Sequence, residues 1–529
     1  MSPLDLAIIG GYLAGTLLLS AWLGRSNTSP EDYYVGGRAI PWWALSLSTM
    51  ATQSSANSFI GIPAFVALVP GGGLTWLQYE LAVPPAILIV MVVFVPVFRG
   101  LGLVSIYEYL EIRFDRPTRL LLSGVFLVSR ALATGVALYA AAVVVEVCTG
   151  LPLAWSVLLM GCITVVYDML GGMRAVVWTD VLQMFVLLSG IVLCGVYGWS
   201  AAGGWQGVLD HMSPTRLSAI QWAHGVGDGA PAPFWGFVLG GLVLYIAYYG
   251  VDQSQVQRQL SASSIPHAQR LLAANALARF PLTLLYVGLG LLMAAAYARN
   301  DALRAAIPAN RLDFLVPRFI ELVLPTGARG LLVAAVLAAA MSSLDSALNG
   351  LSAATMRDFV GARGSARRQL ATSRLVTLAW GVLITAIAMQ AGNFASNVIE
   401  GINRVGALFY GPLLAAFACG ILDPRATGPS VRVGVAAGLG VNLLLLLLYG
   451  PALFWMWWNI SGVLVAALTC GLLARAYPGA LSTAPSFAIV TVRGLGTQLI
   501  AVRGWAIGML AYTVAMLALL AWFGGTTTR

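Results

Sequence analysis

Of 529 residues, 59% are hydrophobic and only 9% are charged. A soluble globular domain carries roughly a quarter charged residues, so this composition excludes that class. The net charge of +9 does not mark a nucleic-acid binder, because the basic residues sit in short loops between apolar spans.

Apolar stretches of about 20 residues, each long enough for a hydrocarbon core of roughly 30 Å, recur to give about 14 spans. They fall near 4–24, 41–67, 75–98, 120–148, 152–170, 176–199, 234–253, 270–297, 329–356, 373–391, 396–420, 431–449, 453–474 and 504–523. The stretches are continuously apolar rather than alternating, so an all-α polytopic membrane protein is expected rather than a barrel. The first stretch lacks a basic leader and a small-residue cleavage site and reads as a retained helix. Polar stretches near 200–233, 298–328 and 475–503 read as loops with small amphipathic helices, and nothing resembles a soluble domain.

All 29 basic residues are arginine. Sorted by loop, about 19 fall on one side and about 7 on the other, and the rich side is expected to be cytoplasmic. Arg25, Arg38, Arg99, Arg113, Arg116, Arg119, Arg174, Arg258 and Arg270 then face inward and both termini outward. The cysteines have no disulfide or metal spacing and read as packing residues. Trp42-Trp43 and Trp455-Met456-Trp457-Trp458 read as interfacial anchors.

Two spans are interrupted. The second carries Thr49-Met50-Ala51-Thr52-Gln53-Ser54-Ser55-Ala56-Asn57-Ser58, and the seventh carries Tyr248-Tyr249-Gly250 followed by Asp252-Gln253-Ser254-Gln255. So many polar groups at mid-membrane are expensive unless they face protein or water. Each interrupted span opens a set of five, 41–199 and 234–420, which points to an inverted repeat with a central binding site. The whole of 1–529 then forms one transmembrane domain, with 4–24 leading and 431–523 trailing.

In the ninth span, Ser342, Asp345, Ser346 and Asn349 recur at i, i+3, i+4 and i+7 and share a helix face. Hydroxyls and a carboxylate are hard oxygen ligands that suit Na⁺. Serines alone also serve close helix packing; the carboxylate favours a cation. Asp180 is either an interfacial partner of Arg174 or a ligand on the cation path. Glu80, Arg130 and Arg279 are intramembrane ions and candidates for a site, although both arginines lie near enough to span ends to snorkel. Arg404 and Glu400 read as an i,i+4 surface pair. No phosphate-cradling loop and no nucleophile–base pair appears, so neither ATP hydrolysis nor an enzyme is expected.

Several stretches together resemble the sodium:solute symporter family over about residues 30–430. They are Ser105-Ile106-Tyr107-Glu108-Tyr109-Leu110-Glu111, Gly171-Gly172-Met173-Arg174-Ala175-Val176-Val177-Trp178-Thr179-Asp180, Asp252-Gln253-Ser254-Gln255-Val256-Gln257-Arg258 and the Ser342-Ser343 helix. The resemblance implies a LeuT-type five-plus-five inverted repeat with flanking helices. It also implies a first sodium site made by the carbonyls of Ala51, Ser54 and Ala339 and the hydroxyls of Ser342 and Ser343. A second cation site is implied at Asp180, Ser342 and Ser346. Asp345 stands where several members have a small or hydroxyl residue, and is either a further cation ligand or a proton acceptor.

On the solute side Glu80 matches the sugar-transporting branch, and Arg279 falls where that branch has a lysine. Gln53, Asn57, Ser58 and Tyr245 replace several of its contact residues, and Tyr248 lies near the inner-gate tyrosine. The Tyr-Glu-Tyr-Leu-Glu and Gln-Val-Gln-Arg stretches are more similar to the monocarboxylate and vitamin branch, and buried arginines favour a carboxylate. The resemblance therefore implies sodium-coupled import of a small polar solute across the plasma (inner) membrane, with Na⁺, solute and lipid as partners and no obligatory protein partner. Proton coupling on the same fold and a transporter-like solute sensor remain as alternatives.

Overall fold

The computed structural model describes residues 1–222, 232–309, 311–361, 364–391, 398–477 and 492–526, and every regular element among them is helical. Among the described residues, eleven helices are long and apolar enough to cross a membrane. Two further expected spans are too short or too interrupted to qualify: the broken second span and the apolar helix Gly236–Val251. The remaining difference from the sequence-based set is a pair of spans running through one helical stretch, Leu153–Ala202. At about 1.5 Å per residue such a stretch would reach about 75 Å if straight, more than twice the bilayer core. It is broken at Gly172, whose φ of 61° and ψ of −167° lie outside the helical region. A side chain there would strike the Tyr33 ring at 2.7 Å, so the break needs glycine both for its conformation and for space.

The helices that position the interior are α1 (Pro3–Gly24), α2 (Pro30–Val35), α3 (Trp42–Gln53), α4 (Ala56–Ala67), α5 (Leu74–Gly100) and α6 (Glu108–Arg113). They continue as α7 (Arg116–Thr149), α8 (Leu153–Ala202), α9 (Gly236–Val251), α10 (Gln253–Leu260), α11 (Ile265–Arg299) and α12 (Leu315–Val323). After these come α13 (Ala328–Val360), α14 (Ala366–Ala391), α15 (Val398–Leu422), α16 (Gly428–Tyr449), α17 (Trp457–Ala476) and α18 (Arg503–Thr526). The best apolar window of α13 is 94% buried, against 11% for α1 and 22% for α18. That contrast puts the serine-bearing helix at the centre and the first and last helices at the lipid-facing periphery. The Asp5 carboxylate accepts the N–H groups of Gly327 and Gly330 at 2.7 and 2.9 Å, fastening α1 to the start of α13.

Several sequence-based placements change. Arg258 is no cytoplasmic loop residue: it is 1% exposed and points into the protein. Arg113 is also buried, its guanidinium bonding the carbonyls of Gly420 and Asp423. Trp458 is fully buried rather than an interfacial anchor, whereas Trp43 is exposed and packs edge-on against Trp178. Of the cysteines, Cys194 and Cys470 are buried and Cys162 is exposed, and all are free thiols. The side chain of Glu400, and with it the expected pair to Arg404, lies outside the described residues.

Candidate cation and solute sites

The first interruption falls where the polar run is densest. The α3 backbone leaves the helix at Ser54, with φ −84° and ψ 64°, and α4 restarts after an extended Ser55. Thr49 and Thr52 return their hydroxyls to the carbonyls of Leu45 and Ser48, which weakens α3 as it approaches the break. A helix end leaves carbonyls without intrahelical donors. Here α13 meets them: the Ser342 hydroxyl donates to the Ala51 carbonyl at 3.0 Å and the Ser343 hydroxyl to the Thr52 carbonyl at 2.9 Å. Both hydroxyls also reach the Ala339 carbonyl, at 3.1 and 3.4 Å. The Ser54 hydroxyl is buried without a partner. Carbonyl and hydroxyl oxygens from two helices thus converge, the donor chemistry of a hard monovalent cation.

One turn further along α13, Asp345, Ser346 and Asn349 are all buried on the face the periodicity gave them. Asp345 accepts the Tyr167 hydroxyl at 2.7 Å and the Ser346 hydroxyl at 3.1 Å. Asp180 pairs with Arg258, not with Arg174, whose guanidinium instead reaches Ser26. The Arg258 pair is fully enclosed: Nη2 meets Asp180 at 2.9 Å, Nε meets Ser48 at 2.7 Å, and Ser346 takes a further bond. Ser48 donates to the same Asp180 oxygen at 2.5 Å, while the other oxygen, Oδ1, is buried and unpartnered. Thr52 lies 2.7 Å from Ser346, so the two candidate cation places share a wall.

Arg258 is presented by α10, a helix of polar sequence in which every residue is buried. Its glutamines bond neighbouring backbone, Gln253 through both ends of its amide to Val104 and Ile106, and Gln257 and Gln259 through their amide nitrogens to the carbonyls of Tyr34 and Tyr249, their Oε1 atoms staying without a partner. The second interruption lies just before it. Asp252 caps α10, its Oδ1 accepting the Ser254 N–H at 2.9 Å and hydroxyl at 2.6 Å. The other oxygen, Oδ2, accepts Arg130 and the Tyr410 hydroxyl, each at 3.2 Å.

Beside the first break lies a cavity of about 200 Å³, bordered by Gln53, Asn57, Ser58, Arg130, Tyr245, Tyr248 and Arg279, and also by Thr52 and Ser343. Glu80 does not line it. That carboxylate stands behind Arg279, receiving Nε at 3.1 Å and Nη2 at 3.4 Å, while Tyr245 stacks on Tyr79 and bonds the same guanidinium. Neither arginine snorkels; each is held by an internal carboxylate. Arg130 differs from Arg279 in that its Nε is buried without a partner. Tyr248 receives a bond from Gln255, whereas Tyr249 reaches Gln53 and Asn275.

The site therefore gathers the substrate-side residues expected from sequence around one cavity, Glu80 excepted, and brings Ala51, Ala339, Ser342 and Ser343 into mutual contact. It does not bond Ser54 to that set. Sequence reasoning missed Thr52, Ser48, Tyr167 and Arg258, although Arg258 ends the Asp252–Arg258 stretch that carries the family resemblance. Among the described residues no cluster of histidine, cysteine and carboxylate side chains fits a transition metal.

A bundle of spans with two central helix breaks and a cavity beside the first is the architecture of a secondary transporter. The chain belongs to the sodium:solute symporter family, whose model matches residues 33–438. It is similar to the human sodium/iodide cotransporter, 32% identical over 84% of this chain and 70% of that protein. A sodium-coupled monocarboxylate transporter 2 from Bos taurus is 31% identical over 78% of this chain and 67% of its own length. The sodium/sialic acid symporter SiaT of Proteus mirabilis is 27% identical over 89% and 96%. Among solved structures, a substrate-bound outward-open Na⁺-coupled sialic acid symporter superposes with a TM-score of 0.80 at 25% identity, over 91% of this chain and all of that one. The nucleobase-cation-symport-1 transporter MHP1 shares the fold at a TM-score of 0.53 and 14% identity. The chain is thus a multi-pass membrane protein of LeuT-like fold from a family of sodium-coupled transporters.

Proposed function

We propose that this protein couples the entry of Na⁺ to the import of a small carboxylate-bearing solute by alternating access, without chemistry on the solute. One observation carries the coupling: Ser343 and Thr52 belong both to the oxygen cluster at the α3–α4 break and to the wall of the cavity. Na⁺ held by the carbonyls of Ala51, Ser54 and Ala339 and the hydroxyls of Ser342 and Ser343 ties α3 to α13 and so sets the shape of the solute pocket. A cation drives a conformational change only through its different affinity for the two states. Charge movement adds roughly 2.3 kcal/mol per Na⁺ per 100 mV. The unpartnered Asp180 oxygen supports a second cation place with Ser342, Asp345 and Ser346.

The solute class rests on Arg130. Its Nε has no partner within the protein, and a guanidinium fork matches a carboxylate in two parallel bonds. Arg279 is already engaged by Glu80 and completes the polar wall with Gln53, Asn57, Ser58, Tyr245 and Tyr248. At about 200 Å³ the cavity is smaller than the ~300 Å³ at which drug-sized sites begin, which favours a solute of few heavy atoms. The named substrates of the relatives are iodide, monocarboxylates and sialic acid, all anions at neutral pH. We place 41–199 and 234–420 as the two repeats, each opening on a broken helix, and both termini on the outer face of the plasma (inner) membrane, as the arginine distribution favours.

The test is thermal stability of the purified protein in NaCl against equimolar choline chloride, with lactate, pyruvate and acetate set beside lactamide and glucose. The expected result is stabilisation by Na⁺ alone and a further Na⁺-dependent gain with a carboxylate but not with its amide. Stabilisation by glucose equal to that by lactate would overturn the carboxylate reading, and no Na⁺-specific shift would overturn sodium coupling.

A further inference from the structure

The first half of α8 is packed on two sides and open on a third. Toward α1, Ser20 bonds the Tyr167 carbonyl, and a side chain at Gly24 would strike the backbone of Leu170. Toward α14, Gly161 leaves room for Thr385 and Gly381 for Val165, the close approach that small residues allow between membrane helices. Between these two sides Trp155, Leu158, Cys162 and Val166 follow one another at three- and four-residue spacing, and all are exposed. The walls of an apolar groove are therefore α1 and α14, and its floor is α8. From Val166 to Trp155 the floor runs about 16 Å at roughly 1.5 Å per residue, the depth of one leaflet of a bilayer core of roughly 30 Å.

One end of this groove meets guanidinium groups from three elements. Arg25 caps the end of α1 and is exposed. Arg174 follows the Gly172 break and bonds Ser26, the neighbour of Arg25, at 3.3 Å. Arg374 stands on α14 one turn before Thr377, which lies 3.3 Å from the Tyr33 hydroxyl. The same hydroxyl reaches the Met169 carbonyl at 3.4 Å, one turn of α8 past Val166, so Arg374 stands beside the end of the floor. Arg374 is half-buried, and its Nε is shut off from solvent with no acceptor. The carboxylates of neighbouring α2 are engaged already: Glu31 faces Arg38, and Asp32 takes the hydroxyls of Thr28 and Ser29. A covered N–H without an acceptor is costly, and gathered guanidinium groups repel one another; an anion with several oxygens relieves both. The planar guanidinium fork suits phosphate.

We propose that an anionic phospholipid binds at this place, its phosphate held by Arg25, Arg174 and Arg374 and one acyl chain lying along the α8 floor. Basic pockets between helices at the arginine-rich end of a membrane protein are the setting in which such headgroups are recognised. A soluble phosphate would use the guanidinium groups alone, whereas the exposed apolar floor beginning beside them selects a ligand that continues into hydrocarbon. The lipid staples α1 to α14, two peripheral helices whose best apolar windows are only 11% and 22% buried. It does so next to Gly172, where α8 itself is broken. The site is independent of the coupling ion and of the solute.

The experiment uses the full-length protein in detergent and choline chloride, so that sodium plays no part. It is titrated with phosphatidylglycerol, with phosphatidylcholine of the same acyl chains, and with glycerol phosphate, and its melting temperature is followed. Phosphatidylglycerol is expected to stabilise the wild type and the other two are not. The half-saturating concentration of phosphatidylglycerol should rise about fivefold in Arg25→Gln and about tenfold or more in Arg374→Gln. Val166→Trp keeps the arginines but fills the floor, and should weaken the same titration. Arg304→Gln, at the arginine-poor end, should leave it unchanged. Equal stabilisation by phosphatidylcholine would overturn recognition of the charge, and equal stabilisation by glycerol phosphate would overturn the lipid. An unchanged titration in Arg25→Gln or in Val166→Trp, or an equal loss in Arg304→Gln, would overturn the site. Arg25 and Val166 are exposed, so the decision stands even where the half-buried Arg374 variant fails to fold.

Discussion

The two broken helices solve one physical problem in opposite ways. At the α9–α10 break the chain closes on itself: Asp252 caps the new helix with one oxygen and holds Arg130 and Tyr410 with the other. The glutamines behind it are fixed to backbone, and Arg258 is locked by Asp180 and Ser48. At the α3–α4 break the local side chains answer little: the Ser58 hydroxyl reaches the Gln53 carbonyl at 3.5 Å. The carbonyls of Ala51 and Thr52 are met by two hydroxyls borrowed from α13. A hydroxyl exchanges a hydrogen bond for a lone pair toward a cation at little cost, whereas the capped and ion-paired break would have to give up charged pairs to do the same, its unpartnered Arg130 Nε and Asp180 Oδ1 lying to the side of the cap itself. The first break is built to receive an ion and the second to stay as it is.

That contrast is broken most severely at the second region. Removing one partner of a buried pair leaves a charge uncompensated, so Arg258→Gln is expected to destabilise by about 3–5 kcal/mol. The loss would appear as a lowered melting temperature whether or not Na⁺ is present. Ser343→Ala touches the first region instead. Without Na⁺ its stability should lie near that of wild type. In NaCl at about 100 times the wild-type dissociation constant it should lack roughly 2.7 kcal/mol of stabilisation. If Ser343→Ala retains the full sodium shift, or Arg258→Gln loses stability only in sodium, the division between an ion-receiving break and a fixed one is wrong.

The sequence showed where the breaks lie because polar runs inside apolar spans have no other inexpensive explanation. It also showed the Ser342–Asn349 face, since helical periodicity decides which side chains lie together. Partners across the bundle were not legible. Arg130 meets Asp252 at a separation of 122 residues and Arg279 meets Glu80 at 199, and no local spacing encodes such pairs. Arg258 lies beside glutamines at the end of an apolar span, a setting indistinguishable from a loop until α10 is seen to be buried. Trp458 misled because an aromatic cluster near a span end fits the interface and a packed core equally well.

The comparison also sharpens at smaller scale within the cavity, where two arginines face the same space. Arg279 is satisfied by Glu80 and Tyr245, while Arg130 keeps an unpartnered Nε. Lysine preserves the charge beside Asp252 but not the fork, so Arg130→Lys should weaken Na⁺-dependent stabilisation by a carboxylate about tenfold or more in apparent affinity. The sodium shift in the absence of solute should stay unchanged. An unaltered carboxylate titration would move the solute contact to Arg279.

The smallest effect lies outside the membrane, where Asp115 caps α7 and holds Arg432 of α16 at 2.7 and 2.9 Å. Burial acts to raise this carboxyl, but the Thr118 hydroxyl and N–H together with Arg432 outweigh it and hold it below the ordinary aspartate range. A carboxylate lowered in the folded state stabilises fully above its unfolded value, about 3.9, and the gain is lost as pH falls through the lower folded value. Asp115→Asn should therefore cost about 1 kcal/mol or less at neutral pH, the range of a partly exposed cap, and progressively less in acid. Melting curves of both proteins from neutral to acid pH should converge. Parallel curves would mean that the cap acts through its shape alone and that its charge toward Arg432 adds nothing to the hold on the trailing helices.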